Sequence, residues 1–159
     1  MGDKAKNDKL QFSGSSQDEI TFLEMCRDVG FCSFIERDSN MITINIQGEE
    51  EKYQILRDIA FTSDRKKMSV IVKRLSDGKV VSYIKGADGF INLNEESNAE
   101  SSFVKEKLND YASMGLRTLM FCKKDLGSEN DEASVREMEA TELENDATVL
   151  GITALEDLL

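Results

Sequence analysis

Residues 61–88 have the sequence FTSDRKKMSVIVKRLSDGKVVSYIKGAD, and this stretch decides the fold. Three consecutive β-branched residues at 70–72 favour a β-strand, because branched side chains pack well on a pleated surface. Ser-Asp-Gly at 76–78 predicts a tight turn, since glycine readily adopts the positive φ angle that a hairpin needs. KVVSYIK at 79–85 then returns as the partner strand. The stretch therefore predicts a β-hairpin with basic residues at both ends.

Segments on both sides of this hairpin alternate apolar and polar residues with the period of two that is typical of strands. Upstream they are FCSFIER (31–37) and MITINI (41–46), joined by a turn at 38–40, and YQILRDIAF (53–61), which follows an exposed turn at 48–51. Downstream they are LRTLMFCKKDL (116–126) and VLGITALEDLL (149–159). The pattern predicts an α+β fold in which helices flank an antiparallel sheet of six to seven strands.

Helices are predicted before and after the hairpin. Residues 15–30 have a mostly helical apolar spacing, and Ser16 followed by Glu19 fits a capping box. The polar segment 92–102 predicts a loop, and the apolar spacing at 103–115 predicts a second helix that ends at a glycine. In the first of these helices, the simplest role of Glu19 is that of a capping carboxylate.

Composition limits the possible functions. The chain has 159 residues and a net charge of −11, which argues against nucleic-acid binding because phosphate affinity rests on a basic surface. It contains no histidine, so a histidine general base or metal ligand is excluded. No run of consecutive apolar residues approaches the length of a membrane-spanning helix. Three cysteines without metal-ligand spacing predict free thiols.

The chain is expected to form one domain. Residues 1–11 predict a disordered polar lead, and residues 12–159 a single domain. Within it, the acidic segment 127–147 predicts a solvated helix, although such a charge run is also compatible with disorder.

Five short segments, taken in order, resemble the nucleotide-binding (N) domain of P-type ATPases. They are SSQDE (15–19), FTSDRKKMSVIV (61–72), IKGAD (84–88), GLRTL (115–119) and LGITALED (150–157). Each one alone has little specificity, but the five occur in the family's order and cover nearly the whole chain. The resemblance implies that residues 12–159 are the nucleotide-binding domain of a larger membrane ATPase.

Details of these motifs resemble the phospholipid-flippase branch of the family. Cation pumps more often have KGAP or KGAS where this chain has KGAD, so Asp88 favours the lipid branch. Heavy-metal pumps use a His-Pro motif, and this chain contains neither residue. Two departures are Gln17, where flippases have the proline of SSPDE, and GITALEDLL, where they have a form such as GATAIEDKL.

The resemblance implies a cleft for ATP and a role for several residues in it. Phe61 would stack on adenine, and Lys85 of KGAD would line the deep end of the pocket. Glu19 would contact the base, and Arg117 of GLRTL would reach the phosphates from the rim. The further residues expected at the pocket are Ser63, Lys66, Met68 and Gly86.

Several of these residues also have a purely structural alternative. A phenylalanine at a strand end, such as Phe61, most often packs in a core. Lysines near a strand edge protect it from pairing with another chain, and Lys85 and Arg117 could simply be surface cations. Gly86 keeps its functional interpretation, because a residue without a side chain permits close backbone approach to a ligand.

The function that the resemblance implies is ATP binding in a phospholipid-translocating P-type ATPase at the cytosolic face of a membrane. ATP would be held for phosphoryl transfer to an aspartate of a DKTGT motif, which does not occur in this sequence. No catalytic or metal-ligating residue is therefore predicted here, and Mg²⁺ would be ligated outside this chain. The expected partners are ATP and the phosphorylation and actuator domains of the same polypeptide. Phospholipid would be met only by the membrane domain, and the isolated chain is not expected to be catalytic.

Two alternatives remain open from the sequence. One is a protein-interaction or regulatory module that keeps the N-domain fold without binding nucleotide. The other is the N domain of a cation-transporting P-type ATPase.

Overall fold

The computed structural model describes residues 11–156, except for the side chains of residues 98–100. The predicted lead at 1–11 therefore lies outside the described residues apart from Gln11, and so do residues 157–159. In the described part, seven strands form one sheet in sequence order, and each neighbouring pair is antiparallel. The strands are β1 (Cys32–Asp38), β2 (Met41–Ile46), β3 (Glu49–Ile59), β4 (Lys67–Arg74), β5 (Val80–Gly86), β6 (Arg117–Asp125) and β7 (Thr148–Leu155). The predicted α+β fold with an antiparallel sheet is confirmed.

Helices cover both faces of this sheet. They are α1 (Gln17–Asp28), α2 (Glu95–Ser113), α3 (Glu132–Glu137) and α4 (Ala140–Glu144), with a 3-10 helix at Asp88–Phe90. Phe22 of α1 packs edge-on against Phe121 of β6, with ring centroids 5.5 Å apart. Leu108 of α2 instead packs with Met120, the neighbour of Phe121 in β6. Because successive strand residues point to opposite faces, α1 and α2 lie on opposite sides of the sheet.

Two clusters of buried core residues lie on the α2 side of the sheet. The cluster under α2 contains Ile84, Ile91, Leu108, Met120, Cys122 and Ala147. The cluster under α3 and α4 contains Leu56, Ile71, Val80, Val135 and Leu143. The face that carries α1 is therefore the more open one, with room for a cavity.

The loop predicted for residues 92–102 is wrong, because α2 already begins at Glu95. Asn94 caps the helix, since its Oδ1 accepts a hydrogen bond from the backbone N–H of Ser97 at 2.8 Å. Ser97 is itself buried, and its Oγ accepts from the backbone N–H of Val149 at 3.0 Å. Small polar side chains thus form the buried face of the first turns, and an apolar pattern cannot reveal it.

The solvated helix predicted for residues 127–147 is also wrong. Two short helices form there, and Val135, Leu143 and Glu144 are almost completely buried. Arg57 of β3 ties the first of them to the sheet, because its Nη1 donates to the carbonyl of Val135 at 3.1 Å. Each helix docks through one buried apolar side chain together with polar contacts, while most of the segment's carboxylates stay at the surface.

The turn predicted at residues 48–51 is shorter than expected. Gln47 and Gly48 form it with φ angles of 53° and 97°, as a two-residue hairpin turn with two positive φ angles requires. The glutamates at 49–51 belong to β3 and pair with residues 44–46 of β2.

Candidate functional site

A cavity of about 450 Å³ lies between the beginning of α1 and the sheet. Five of the predicted site residues line it: Glu19, Phe61, Met68, Lys85 and Gly86. Its other lining residues are Ser15, Ser16, Asp18 and Leu119. Segments that are far apart in the sequence therefore meet around one concave site.

The register of the sheet places Lys85 in this cavity. Met68 of β4 pairs with Lys85 of β5, and Lys85 pairs in turn with Phe121 of β6. Paired residues on neighbouring strands project from the same face, so these side chains form one row. That face carries α1, because Phe22 packs on Phe121. Within this row, Lys85 lies against the N-terminal end of α1.

Phe61 stands at the cavity just after the end of β3. It is 56% exposed, so the alternative of core packing does not hold for this side chain. The chain turns immediately afterwards, because the backbone N–H of Lys66 donates to the carbonyl of Thr62 at 2.8 Å. An aromatic ring presented on a turn beside a cavity is available for stacking on a planar ligand.

Lys85 is paired with Glu19 across the cavity. Its Nζ lies 2.5 Å from Oε1 of Glu19, and the lysine side chain is only 23% exposed. The N-cap of α1 is Ser16, whose Oγ accepts from the backbone N–H of Glu19 at 3.4 Å. The Glu19 carboxylate, predicted as a possible capping group, thus bonds the lysine of the KGAD motif.

Arg117 approaches the site through a second ion pair. Its Nη2 donates to Oδ1 of Asp18 at 2.6 Å, and Asp18 lines the cavity. The arginine begins β6 immediately after the turn at Gly115, whose φ is 76°. The N-terminus of α1 therefore sets two neighbouring carboxylates against two of the three cations predicted at the nucleotide site. Asp18 was not among the predicted site residues, although the SSQDE motif contains it.

Three predicted site residues, Ser63, Lys66 and Arg117, are not among the residues that line the cavity. Ser63 is exposed in the turn after Phe61. The Nζ of Lys66 lies 5.9 Å from the ring centroid of Phe90, within the range of a cation–π contact. Their role at a nucleotide site remains a prediction.

Gly86 is closely approached by the chain itself. A Cβ atom added to it would lie 2.6 Å from the carbonyl oxygen of Lys66 and 2.7 Å from Cα of Lys67. The backbone N–H of Ala87 also donates to that carbonyl at 3.0 Å. The glycine of KGAD therefore permits the entry into β4 to pass close to the end of β5.

A second cavity of about 330 Å³ adjoins the first and shares Glu19, Met68 and Lys85 with it. Its remaining lining residues are Ser69, Val70, Tyr83, Ile84, Phe121, Cys122 and Leu150. Strand alternation from Met68 and Lys85 leads to Val70 and Tyr83, so these two could have been identified from the sequence. Burial raises the pKa of Cys122 to about 11, so its thiol stays protonated at neutral pH.

Comparison with known proteins identifies the family of this chain. Residues 2–159 match the family described as "P-type ATPase, cytoplasmic domain N". The chain therefore belongs to the N-domain family of P-type ATPases.

Several curated relatives are phospholipid-transporting ATPases. The chain is 35% identical to phospholipid-transporting ATPase IC of Xenopus tropicalis, over 95% of this chain and 13% of the relative. It is 33% identical to phospholipid-transporting ATPase ID of Homo sapiens, over 100% of this chain and 14% of the relative. It is 34% identical to phospholipid-transporting ATPase DRS2 of Saccharomyces cerevisiae, over 94% of this chain and 12% of the relative. The predicted resemblance is confirmed, and the chain spans about an eighth of these relatives' length. Within the described residues, none of the helices has the length and apolar character that crossing a membrane requires.

Proposed function

We propose that this chain is the ATP-holding cytosolic domain of a phospholipid-translocating P-type ATPase. The observation that carries the proposal is the cavity that joins Phe61, Lys85 and Glu19 in a chain of the N-domain family. Stacking of a base on an aromatic ring contributes about 1–3 kcal/mol in nucleic-acid complexes. A lysine supplies a positive charge with three hydrogen-bond donors for the ligand. A cavity of this size with one half-exposed ring suits a purine nucleotide.

In the full-length enzyme, ATP bound here would deliver its γ-phosphate to an aspartate in a separate phosphorylation domain. Mg²⁺ would accompany the nucleotide and be ligated outside this chain. The partners would be the phosphorylation and actuator domains of the same polypeptide at the cytosolic face of a membrane. The phospholipid would be met only by the membrane domain. The names of the relatives support the lipid branch over a cation pump.

The ion pairs of α1 favour a second candidate, an interaction module without nucleotide. Asp18 and Glu19 already supply carboxylates to Arg117 and Lys85, as a ligand's phosphates otherwise would. A site whose cations are neutralised internally can be a structural remnant. The two candidates differ in whether ATP can replace these carboxylates.

A titration with ATP separates the two candidates. Amide resonances of the ¹⁵N-labelled chain are followed while ATP is raised to millimolar concentration. We expect shifts at Phe61, Lys85 and Arg117, because the ligand would contact segments that converge on the cavity. If these resonances stay in place while the protein remains folded, the interaction module is favoured and the proposal fails.

Asp18→Asn should tighten ATP binding by up to about fivefold. The substitution removes the carboxylate that pairs with Arg117, and an exposed ion pair of this kind stabilises by about 0.2–1 kcal/mol. Binding no longer has to break that pair, and one negative charge leaves the cavity wall. Isothermal titration calorimetry at low ionic strength measures the change.

The matched control is Glu132→Gln, which removes the carboxylate of another exposed arginine pair, with Arg136 at 2.5 Å. It lies on α3, on the other side of the sheet, and should leave ATP affinity unchanged. Equal gains in both variants would show a general charge effect. An unchanged or weaker affinity in Asp18→Asn would contradict the competition between the carboxylate and the nucleotide.

A further inference from the structure

Glu144 is a carboxylate buried inside the protein. It is the last residue of α4, in the acidic segment, and only 2% of it is exposed. An ionised carboxylate is costly to bury unless donors surround it. Its surroundings therefore indicate what it holds in place.

Three donors from one stretch of chain surround this carboxylate. Oε1 of Glu144 accepts hydrogen bonds from Nη2 of Arg65 and from Oγ of Ser69, the latter at 2.6 Å. Nζ of Lys67 lies 3.3 Å from Oε2. Arg65 lies in the turn just before β4 and reaches the same carboxylate from there. Lys67 and Ser69 share one face of β4 because they are two residues apart in the strand. Met68, between them, points to the opposite face and lines the candidate site.

Glu144 is ionised at neutral pH. Burial by itself raises the pKa of its carboxyl, but the hydrogen bonds from Ser69 and Arg65 outweigh burial and hold that pKa below its ordinary value. The ion pairs with α4 therefore persist under physiological conditions.

Arg65 extends this network to the turn that carries Phe61. Its Nη1 donates to the carbonyl of Ala60 at 3.1 Å, and its backbone N–H donates to Oγ1 of Thr62 at 3.2 Å. The arginine thus binds the chain on both sides of Phe61. The phenylalanine ring is largely exposed, so its placement depends on this backbone, which the bonds of Arg65 hold together with the bond from Lys66 to Thr62.

We propose that Glu144 is a positioning residue for the nucleotide site, which acts through Arg65 to hold the turn that presents Phe61. The proposal rests on the proposed function and adds a residue on the opposite side of the sheet. A ring that is already held in place loses less conformational entropy when it stacks on a base. The acidic segment with α4 thereby supports the site without touching its ligand.

The test uses Glu144→Gln, which keeps the side-chain shape and removes the charge. We expect ATP binding to weaken by about two- to tenfold, the cost of ordering a loop or side chain on binding. The {¹H}–¹⁵N heteronuclear NOE of residues 61–66 should fall in the ligand-free variant. Glu132→Gln in the same acidic segment is the control and should change neither quantity.

A double-mutant cycle decides whether Arg65 carries the effect. Arg65→Gln leaves Lys67 and Ser69 on the carboxylate and should weaken ATP binding as much as Glu144→Gln. The double variant should bind ATP no more weakly than either single variant, since removing either residue already breaks the same Glu144–Arg65 connection. If Glu144→Gln fails to fold, Arg65→Gln alone provides the comparison.

The outcomes distinguish this inference from the proposed function. Wild-type affinity and NOE values in both variants would overturn the positioning role while ATP binding stands. Additive losses would show that Glu144 does not act through Arg65, which also overturns it. If the wild-type chain binds no ATP, the proposed function fails. In that case the NOE still decides whether Glu144 orders the turn, and unchanged values reject it.

Discussion

Gly86→Ala should lower the free energy of unfolding by about 3 kcal/mol, at the upper end of the usual cost of overpacking. The new Cβ would lie 2.6 Å from the carbonyl oxygen of Lys66 and 2.7 Å from Cα of Lys67. These are backbone atoms, which cannot rotate away as the end of a flexible side chain can. Relief requires β5 to move away from the entry of β4, and this strains the hydrogen bond from Ala87 to Lys66.

Urea unfolding followed by far-UV circular dichroism measures this effect. Gly89→Ala is the matched control, because it lies three residues further along and nothing stands within 4 Å of its added Cβ. The control should change the unfolding free energy by less than about 0.5 kcal/mol. Equal losses in the two variants would show that the close approach at Gly86 has no energetic weight.

Much of the sheet could be predicted from the sequence because the residues that indicate each strand lie next to one another in the chain. The alternation at 31–46 and the β-branched run at 70–72 each indicate a strand by themselves. Gly78 has a φ of 72°, in agreement with the turn predicted at 76–78. Each strand pairs with its sequence neighbours in the sheet, and the first four pairs are joined by short connections. Only the pairs β5–β6 and β6–β7 are joined across helices.

The wrong predictions for the helical segments arise where a polar side chain is buried. Ser97 is buried although it is polar, because a hydrogen bond to β7 satisfies its hydroxyl. Glu144 is buried among donors that lie 75 or more residues away. Hydrophobic periodicity cannot detect either residue, since its premise is that polar side chains face water.

The candidate site also combines features that could be predicted from the sequence with features that could not. Resemblance assigned Glu19, Lys85 and Arg117 to one pocket, and the structure brings Glu19 and Lys85 into contact. The internal pairing of these cations with α1 was not predicted, because it depends on how the helix docks on the sheet. The structure adds a structural role for Gly86, since backbone of this chain approaches it closely.

Phe61→Ala should weaken ATP binding by about 1–3 kcal/mol, or roughly 5- to 150-fold, the range for losing one stacked base. The ring is 56% exposed in the ligand-free protein, so its removal leaves no core cavity. We therefore expect the thermal midpoint of unfolding to change little while affinity falls. Calorimetric titration with ATP and a thermal melt measure the two quantities on the same sample.

A comparison of ligands separates stacking from charge in this variant. Tripolyphosphate carries the phosphates of ATP without a base, so Phe61→Ala should leave any tripolyphosphate binding unchanged. Phe103→Ala is the aromatic control, because Phe103 is 63% exposed on α2, on the far side of the sheet. Lys66→Ala removes a peripheral cation and should weaken ATP binding less than Phe61→Ala does. Equal losses of ATP affinity in Phe61→Ala and Lys66→Ala would contradict stacking and favour a site that recognises the nucleotide by charge.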